Sequence, residues 1–346
     1  MFYLLVFLFI VISFGISFPS YNADYLTKRK TNAIKGVFAC LILFSHLRGY
    51  LKISDFDVAT IIYDSFMGSL GQLIVVVFLF YSGYGIMEQY SAKGYDYIDS
   101  FLQKRVLKTW LHFSMAVFLF LIVQTIIGNR FEFHDYCLCW FGWTSIGNSN
   151  WFVFDILVLY LITFFVLTVS KYYSLPKSYL VILLFVETLL FWFFLYSYKN
   201  GNTWWYNTVL VYPFGALYSC IRQGLDKWLI ALHFHSRLFI VIMVFIVFLS
   251  WRLYAGIDVY GICSVLFMFC ILGITSIVSI DNAILQWLGN HSFSIYILQR
   301  LPMILLRHIG VSQQVLFIIG AITLTLLLAY FFNIVVKRVD MFIFPQ

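Results

Sequence analysis

Eleven stretches of this chain are long and apolar enough to cross a membrane, and they leave little else. Their approximate limits are 2–18, 33–51, 68–90, 109–128, 150–170, 179–198, 204–221, 237–254, 259–280, 292–309 and 314–336. Lipid offers no partner to backbone N–H and C=O groups, so an apolar run of this length folds as a helix that satisfies itself. At ~1.5 Å per residue, such runs approach the ~30 Å hydrocarbon core. Only 11% of the residues are charged, against about 25% in soluble domains. The expected fold is therefore all-α, a polytopic transmembrane helical bundle of about eleven spans. The first run lacks a basic leader and a small-residue cleavage site and reads as an uncleaved helix. Residues 1–27 form an extra N-terminal helix and loop ahead of a membrane domain over 28–346, and no loop is long enough for a soluble domain.

Charge sets the expected orientation. Fifteen of the 22 Lys and Arg residues fall in one set of alternate loops, among them Lys28, Arg29, Lys30, Lys104, Arg105, Lys108, Lys171 and Arg222. The other seven, such as Arg48, Lys52, Lys199 and Arg300, lie in the opposite loops or inside spans. The positive-inside rule makes the first set cytoplasmic. The C-terminus is then cytoplasmic and the N-terminus outside, in a multi-pass protein of the cell membrane. The net charge of +7 belongs to these short loops and does not point to nucleic acid. The six cysteines lie mostly within apolar runs and suggest no disulfide framework. Cys137 and Cys139, beside His134 and Asp135, have no second ligand pair at zinc spacing, so no metal is expected.

Few ionisable groups fall inside the spans, and each is expensive to keep there. His46 lies eleven residues after Lys35 in Lys35-Gly-Val-Phe-Ala-Cys-Leu-Ile-Leu-Phe-Ser-His46, about 16 Å along a helix and roughly mid-depth. A cation at the membrane edge and a base in the interior suit an anionic donor gripped at one surface and chemistry within. Arg300 lies about 12 Å into its span, too deep to reach the headgroups easily, and Asp155 one turn into another. A cavity shared by His46, Arg300 and Asp155 is one reading; a structural ion pair of Arg300 with Asp155 or Glu187 is the other. Lys104, Arg105 and Lys108 recur at helical spacing and with Lys35 would form a basic rim for phosphates, or plain positive-inside anchoring. Ser82 and Tyr84 bring hydroxyls to the glycine pair Gly83 and Gly85, which marks either a groove for a narrow ligand arm or close helix packing. Outer-loop aromatics, including Trp143, Trp151, Trp205 and Tyr206, would stack on sugars or form the interfacial belt.

Six segments in order resemble one family. Lys35-Gly36 with His46 is similar to the Arg/Lys-x10-His signature of the type-three acyltransferases, integral-membrane O-acyltransferases of bacterial surface glycans. Gly71 to Tyr84 resembles the family's glycine-rich span ending in Ser-Gly-Phe. Phe101 to Lys108 is similar to its Phe-x-x-Arg-Arg-x-x-Arg segment. Asn150-Trp151-Phe152 with Asp155 resembles its Trp-Phe-Leu segment, and Tyr212 to Leu217 its Phe-Phe-x-Gly-x-Leu span. Leu288 to Arg300 resembles its Leu-Gly-x-x-Ser-x-x-Ile-Tyr-Leu-x-His segment. Departures are Lys35 for arginine, Trp110 in a proline region, Gln299 where many members have histidine, and the extra first span.

The resemblance implies acyl transfer from a cytoplasmic acyl-CoA, usually acetyl-CoA, to a glycan hydroxyl. Lys35, Lys104, Arg105 and Lys108 would meet the CoA phosphates, and Ser82 and Tyr84 the pantetheine arm. His46 would act as general base or carry the acyl group, and Arg300 would face the oxyanion. Trp151, Asn150 and Gln299 would contact the acceptor. The expected partners are acyl-CoA, a polysaccharide or lipid-linked glycan acceptor and membrane lipid, with a homodimer left open. A glycan transporter or flippase, or a non-catalytic partner in glycan export, are the competing classes; the transporter reading fits buried charge and broken helices, but the halves show no internal symmetry.

Overall fold

The computed structural model describes residues 1–51, 57–254 and 260–344; Lys52 falls outside them. Sixteen α-helices follow in order. They are α1 (Phe2–Ser13), α2 (Lys28–Tyr50), α3 (Val58–Leu70), α4 (Leu73–Lys93), α5 (Asp96–Asp99), α6 (Lys108–Ile127), α7 (Phe133–Leu138) and α8 (Trp151–Tyr173). The second half holds α9 (Lys177–Tyr198), α10 (Val211–Ala231), α11 (Phe234–Tyr254), α12 (Tyr260–Ile277), α13 (Ala283–Asn290), α14 (Ser292–Leu298), α15 (Arg300–His308) and α16 (Gln314–Ile343). A π-helical run, Leu102–Leu107, leads into α6. Among the described residues the only strands are β1 (Ile16–Ser17) and β2 (Ser279–Ile280), paired antiparallel.

Among the described residues, eight helical stretches are long and apolar enough to cross a membrane. They correspond to eight of the eleven runs read from the sequence. The other three behave differently. The run 2–18 is helical only as far as Ser13, about 18 Å at ~1.5 Å per residue, because Gly15 turns the chain at φ +88° and its flank pairs with β2. The run 204–221 starts late, at Val211, and extends to Ala231 through Arg222, Asp226 and Lys227. The run 292–309 is the short pair α14–α15, with Pro302 in the first turn of α15, where a missing N–H is tolerated.

Burial separates an inner set from a lipid-facing set. The apolar window of Val58–Lys93 is 67% buried, and those of α2 and α8 are each 56% buried. The window of α11 is only 11% buried; Phe239, Ile242 and Phe245 point outward from it, as lipid contact requires. The inner helices are held close by glycine. A Cβ on Gly36 of α2 would overlap the Leu285 carbonyl of α13, and one on Gly289 of α13 would overlap the Asn32 carbonyl of α2. Gly83 of α4 and Gly215 of α10 meet the carbonyls of Tyr212 and Phe80 in the same reciprocal way. Small residues at a crossing let two backbones touch, which is how helices associate where lipid removes the hydrophobic drive. Gly36→Ala should therefore cost about 1–3 kcal/mol or more by overpacking. Gly49→Ala, in the same helix with nothing within 4 Å, should stabilise by up to about 1 kcal/mol. Thermal unfolding of the two variants in detergent measures the opposite signs.

Polar contacts gather at two ends. At the basic end, Asp281 pairs with Arg29 (2.7 Å) and Lys30 (3.4 Å), Asp226 with Arg222 (3.1 Å), and Asp340 with Lys108 (3.4 Å). At the opposite end, Arg48 pairs with Asp64 (2.7 Å) and Arg307 donates to the Tyr50 carbonyl (3.1 Å). Apart from the Arg222–Asp226 pair within α10, each of these contacts joins segments that the alternation of spans puts on one side.

Candidate active site

α2 begins at Lys28, five residues before the apolar run, so its register moves the site. His46 comes four residues before the helix ends at Tyr50, about 6 Å from that end. It lies in the half of α2 away from the basic end. The ring is enclosed by protein yet keeps some accessible surface, as a side chain lining an internal space does. Its Nδ1 is buried and has no hydrogen-bond partner. The Gln299 amide and the Arg300 guanidinium, where α14 passes into α15, are its polar neighbours.

The same neighbourhood holds further unpartnered atoms: Arg300 Nε, Gln299 Oε1 and Tyr296 Oη are all buried without a hydrogen bond. Gln299 is fully buried; its amide N–H donates to the Tyr296 carbonyl at 3.2 Å, and its side chain also lies within hydrogen-bonding reach of His46. Buried polar groups are ordinarily satisfied, and four such atoms without a partner gather at this junction of three helices.

Asp155 is fully buried in α8 with both carboxyl oxygens unpartnered. Among the described residues Arg300 forms no ion pair, with Asp155, Glu187 or any other carboxylate. Tyr296 lies within electrostatic reach of both Arg300 and Asp155 and so connects them. On its other side Asp155 senses Lys199. The Lys199 ammonium sits 3.6 Å from the Trp143 ring centroid and 4.1 Å from that of Trp205, and donates to the Trp143 carbonyl at 3.2 Å. Burial pulls its pKa below the usual lysine value, opposed by the Asp155 charge. Two of the outer-loop tryptophans are thus occupied by the protein's own cation.

About 16 Å from His46 along α2, Lys35 lies within electrostatic reach of Lys28 and Arg105. Arg105 is turned inward. Its Nε donates to Tyr97 Oη at 3.2 Å, and Tyr160 and Tyr212 are also near. Lys104 is exposed, and Lys108 turns to Asp340 and the Phe344 ring. The π-helical run separates Arg105 from Lys108: its wider i→i+5 turn rotates less per residue, so positions three apart no longer share a face. Ser82 and Tyr84 also part. Ser82 Oγ meets Tyr160 Oη at 2.9 Å, whereas Tyr84 Oη accepts from Arg222 at 2.7 Å; two residues apart on a helix they point to different sides. Asn150 is used structurally, its Nδ2 donating to the Gly142 carbonyl at 2.8 Å. Trp151 is half-buried, its ring edge-to-face with Phe152. Trp110, in the usual proline region, donates to the Trp140 carbonyl at 3.1 Å and pins the same loop.

A family model described as an acyltransferase domain matches residues 29–334. The chain belongs to the type-three acyltransferase family. The match takes in both the His46 junction and the Lys35–Arg105 mouth, and leaves α1 outside it. No curated protein and no solved structure matches the chain. This type-three acyltransferase is a multi-pass membrane protein. The site residues not singled out from the sequence are Tyr296, Tyr160 and Tyr97, and Lys199 was counted there only as a loop cation. Tyrosine is common in membrane helices and carries no periodic signal, but Tyr296 stands one turn before Arg300, and that spacing alone pointed to it.

Proposed function

We propose that this membrane acyltransferase moves an acyl group, most simply acetyl, from cytoplasmic acyl-CoA to a hydroxyl of a surface or exopolysaccharide sugar. The observation that carries the reading is the set of orphaned polar atoms on His46, Gln299, Arg300 and Tyr296, about half the length of α2 from the inward cations Lys35 and Arg105. The CoA phosphates meet Lys35 and Arg105 at the basic end, taken as cytoplasmic. The pantetheine arm runs past Ser82 toward His46. His46 takes the proton of the attacking sugar hydroxyl as its oxygen bonds to the thioester carbonyl carbon. The oxyanion that forms faces Arg300, where fixed positive charge in a water-poor site is effective. Collapse breaks the carbon–sulfur bond, and the CoA thiolate recovers the proton from His46. Acceptor contacts fall to Gln299 and Trp151.

Mass spectrometry of surface glycan from cells with and without the protein tests the reading: O-acyl groups disappear with the protein while glycan amount is kept. Loss of the glycan itself would favour a transporter. For the donor site, Arg105→Ala should raise the KM for acyl-CoA by roughly 10-fold, the weight of one or two charge-assisted hydrogen bonds, with kcat nearly unchanged. Steady-state kinetics over a donor series measures the split.

A further inference from the structure

A small apolar cavity lies one helical turn from the orphaned cluster, and the proposed reaction gives it a use. It is lined by Ile42, Phe78, Phe152, Phe293, Tyr296 and Ser292 and has a volume of about 50 Å³. Ile42 precedes His46 by four residues on α2, and Tyr296 precedes Arg300 by four residues on α14–α15. Each group therefore lies about 6 Å along its helix from a residue that lines the cavity, on two helices that run in the same direction. Its walls are rings: Phe78 meets Phe152 edge-on at 6.3 Å, and Phe152 meets Tyr296 edge-on at 5.4 Å. The Ser292 hydroxyl is already tied to the Gly289 carbonyl at 2.8 Å. What remains is an apolar, ring-walled space with the Tyr296 hydroxyl at its edge.

We propose that this cavity receives the acyl group of the donor and restricts the enzyme to short acyl chains; the proposal rests on the acyltransferase reading above. Size decides the class. A water-sized group takes ~10–15 Å³ of such space, so the cavity holds roughly three to five non-hydrogen atoms. Beyond a carbonyl held between His46 and Arg300, acetyl adds one such atom, butyryl three and hexanoyl five, the most the cavity can take. Position agrees, because an acyl carbonyl between His46 and Arg300 leaves its methyl within one turn of Ile42 and Tyr296. A second apolar cavity, of about 390 Å³ and lined by Leu4, Leu43, Ile295 and Leu326, is large enough for a long chain, which makes chain length the quantity that separates the two.

The test uses the full-length protein in nanodiscs with glycan acceptor and acetyl-, propionyl-, butyryl- and hexanoyl-CoA, read as kcat/KM for each donor. The wild type should lose at least about 10-fold per methylene beyond those the cavity holds, as closed hydrophobic pockets do. Phe78→Ala and Phe152→Ala, on different helices, should each raise the butyryl-to-acetyl ratio by roughly 10-fold or more. Ile42→Phe fills the space and should lower propionyl relative to acetyl, which keeps the test decisive should both alanine variants fail to fold. A flat length profile, a preference rising with chain length, or ratios unmoved in the folded variants would overturn the cavity's role and leave the acyltransferase reading standing. Absence of transfer from every acyl-CoA would overturn that reading, and the cavity's role with it.

Discussion

His46→Ala should lower acyl transfer by about 10²–10⁴-fold, the range a positioned general base supplies, while the protein folds and reaches the membrane as before. The second half of the expectation follows from the geometry. Nδ1 of His46 makes no hydrogen bond, so truncation breaks one side-chain hydrogen bond at most, that with Gln299. An imidazole that held helices together would behave otherwise, since a buried partner left unsatisfied costs about 1–3 kcal/mol. Acyl content of surface glycan, glycan amount and the Tm in detergent are the three readings. The expected pattern is the first lost and the other two kept. Glycan lost with its acylation intact would move the protein to the transporter class.

Arg300→Gln should lower kcat by about 10²–10³-fold, as removal of an oxyanion donor does, without lowering the Tm. Here the two sequence-level readings part in sign. A structural ion pair broken on one side costs about 3–5 kcal/mol, because the partner charge is stranded. Arg300 has no such partner among the described residues, and its Nε is buried without a hydrogen bond. Removing an uncompensated charge should leave stability level or raise it. Arg300→Lys keeps the charge but loses the planar fork, and activity between the two is expected. A Tm that drops in step with kcat would restore the ion-pair reading.

The long helices were legible because apolar runs of membrane length have one structural solution. The elements that shape their ends were not. α3 and α13 are short, with no long apolar run, and they matter because α13 packs its Gly289 against α2. The halt of α1 at Ser13 depended on one glycine at φ +88° and a partner strand some 260 residues away. At the site, the nearness of His46 and Arg300 followed from the residues alone. Three side chains did not. Lys108 was drawn to Asp340 because a π-helical run rotated it away from Arg105. Tyr84 faces Arg222, not the Ser82 side. Asp155 forms no ion pair with Arg300, though both lie within electrostatic reach of Tyr296. Each depends on rotation about a helix axis, which an apolar stretch without a polar stripe does not announce.

The central claim is that a donor held at Lys35 and Arg105 delivers its acyl group to a reaction at His46. Purified protein in nanodiscs, given acetyl-CoA and a glycan extract of the host cell, should release CoA thiol only when both are present, and His46→Ala should abolish that release. Equal thiol release by the wild type and His46→Ala would contradict the account.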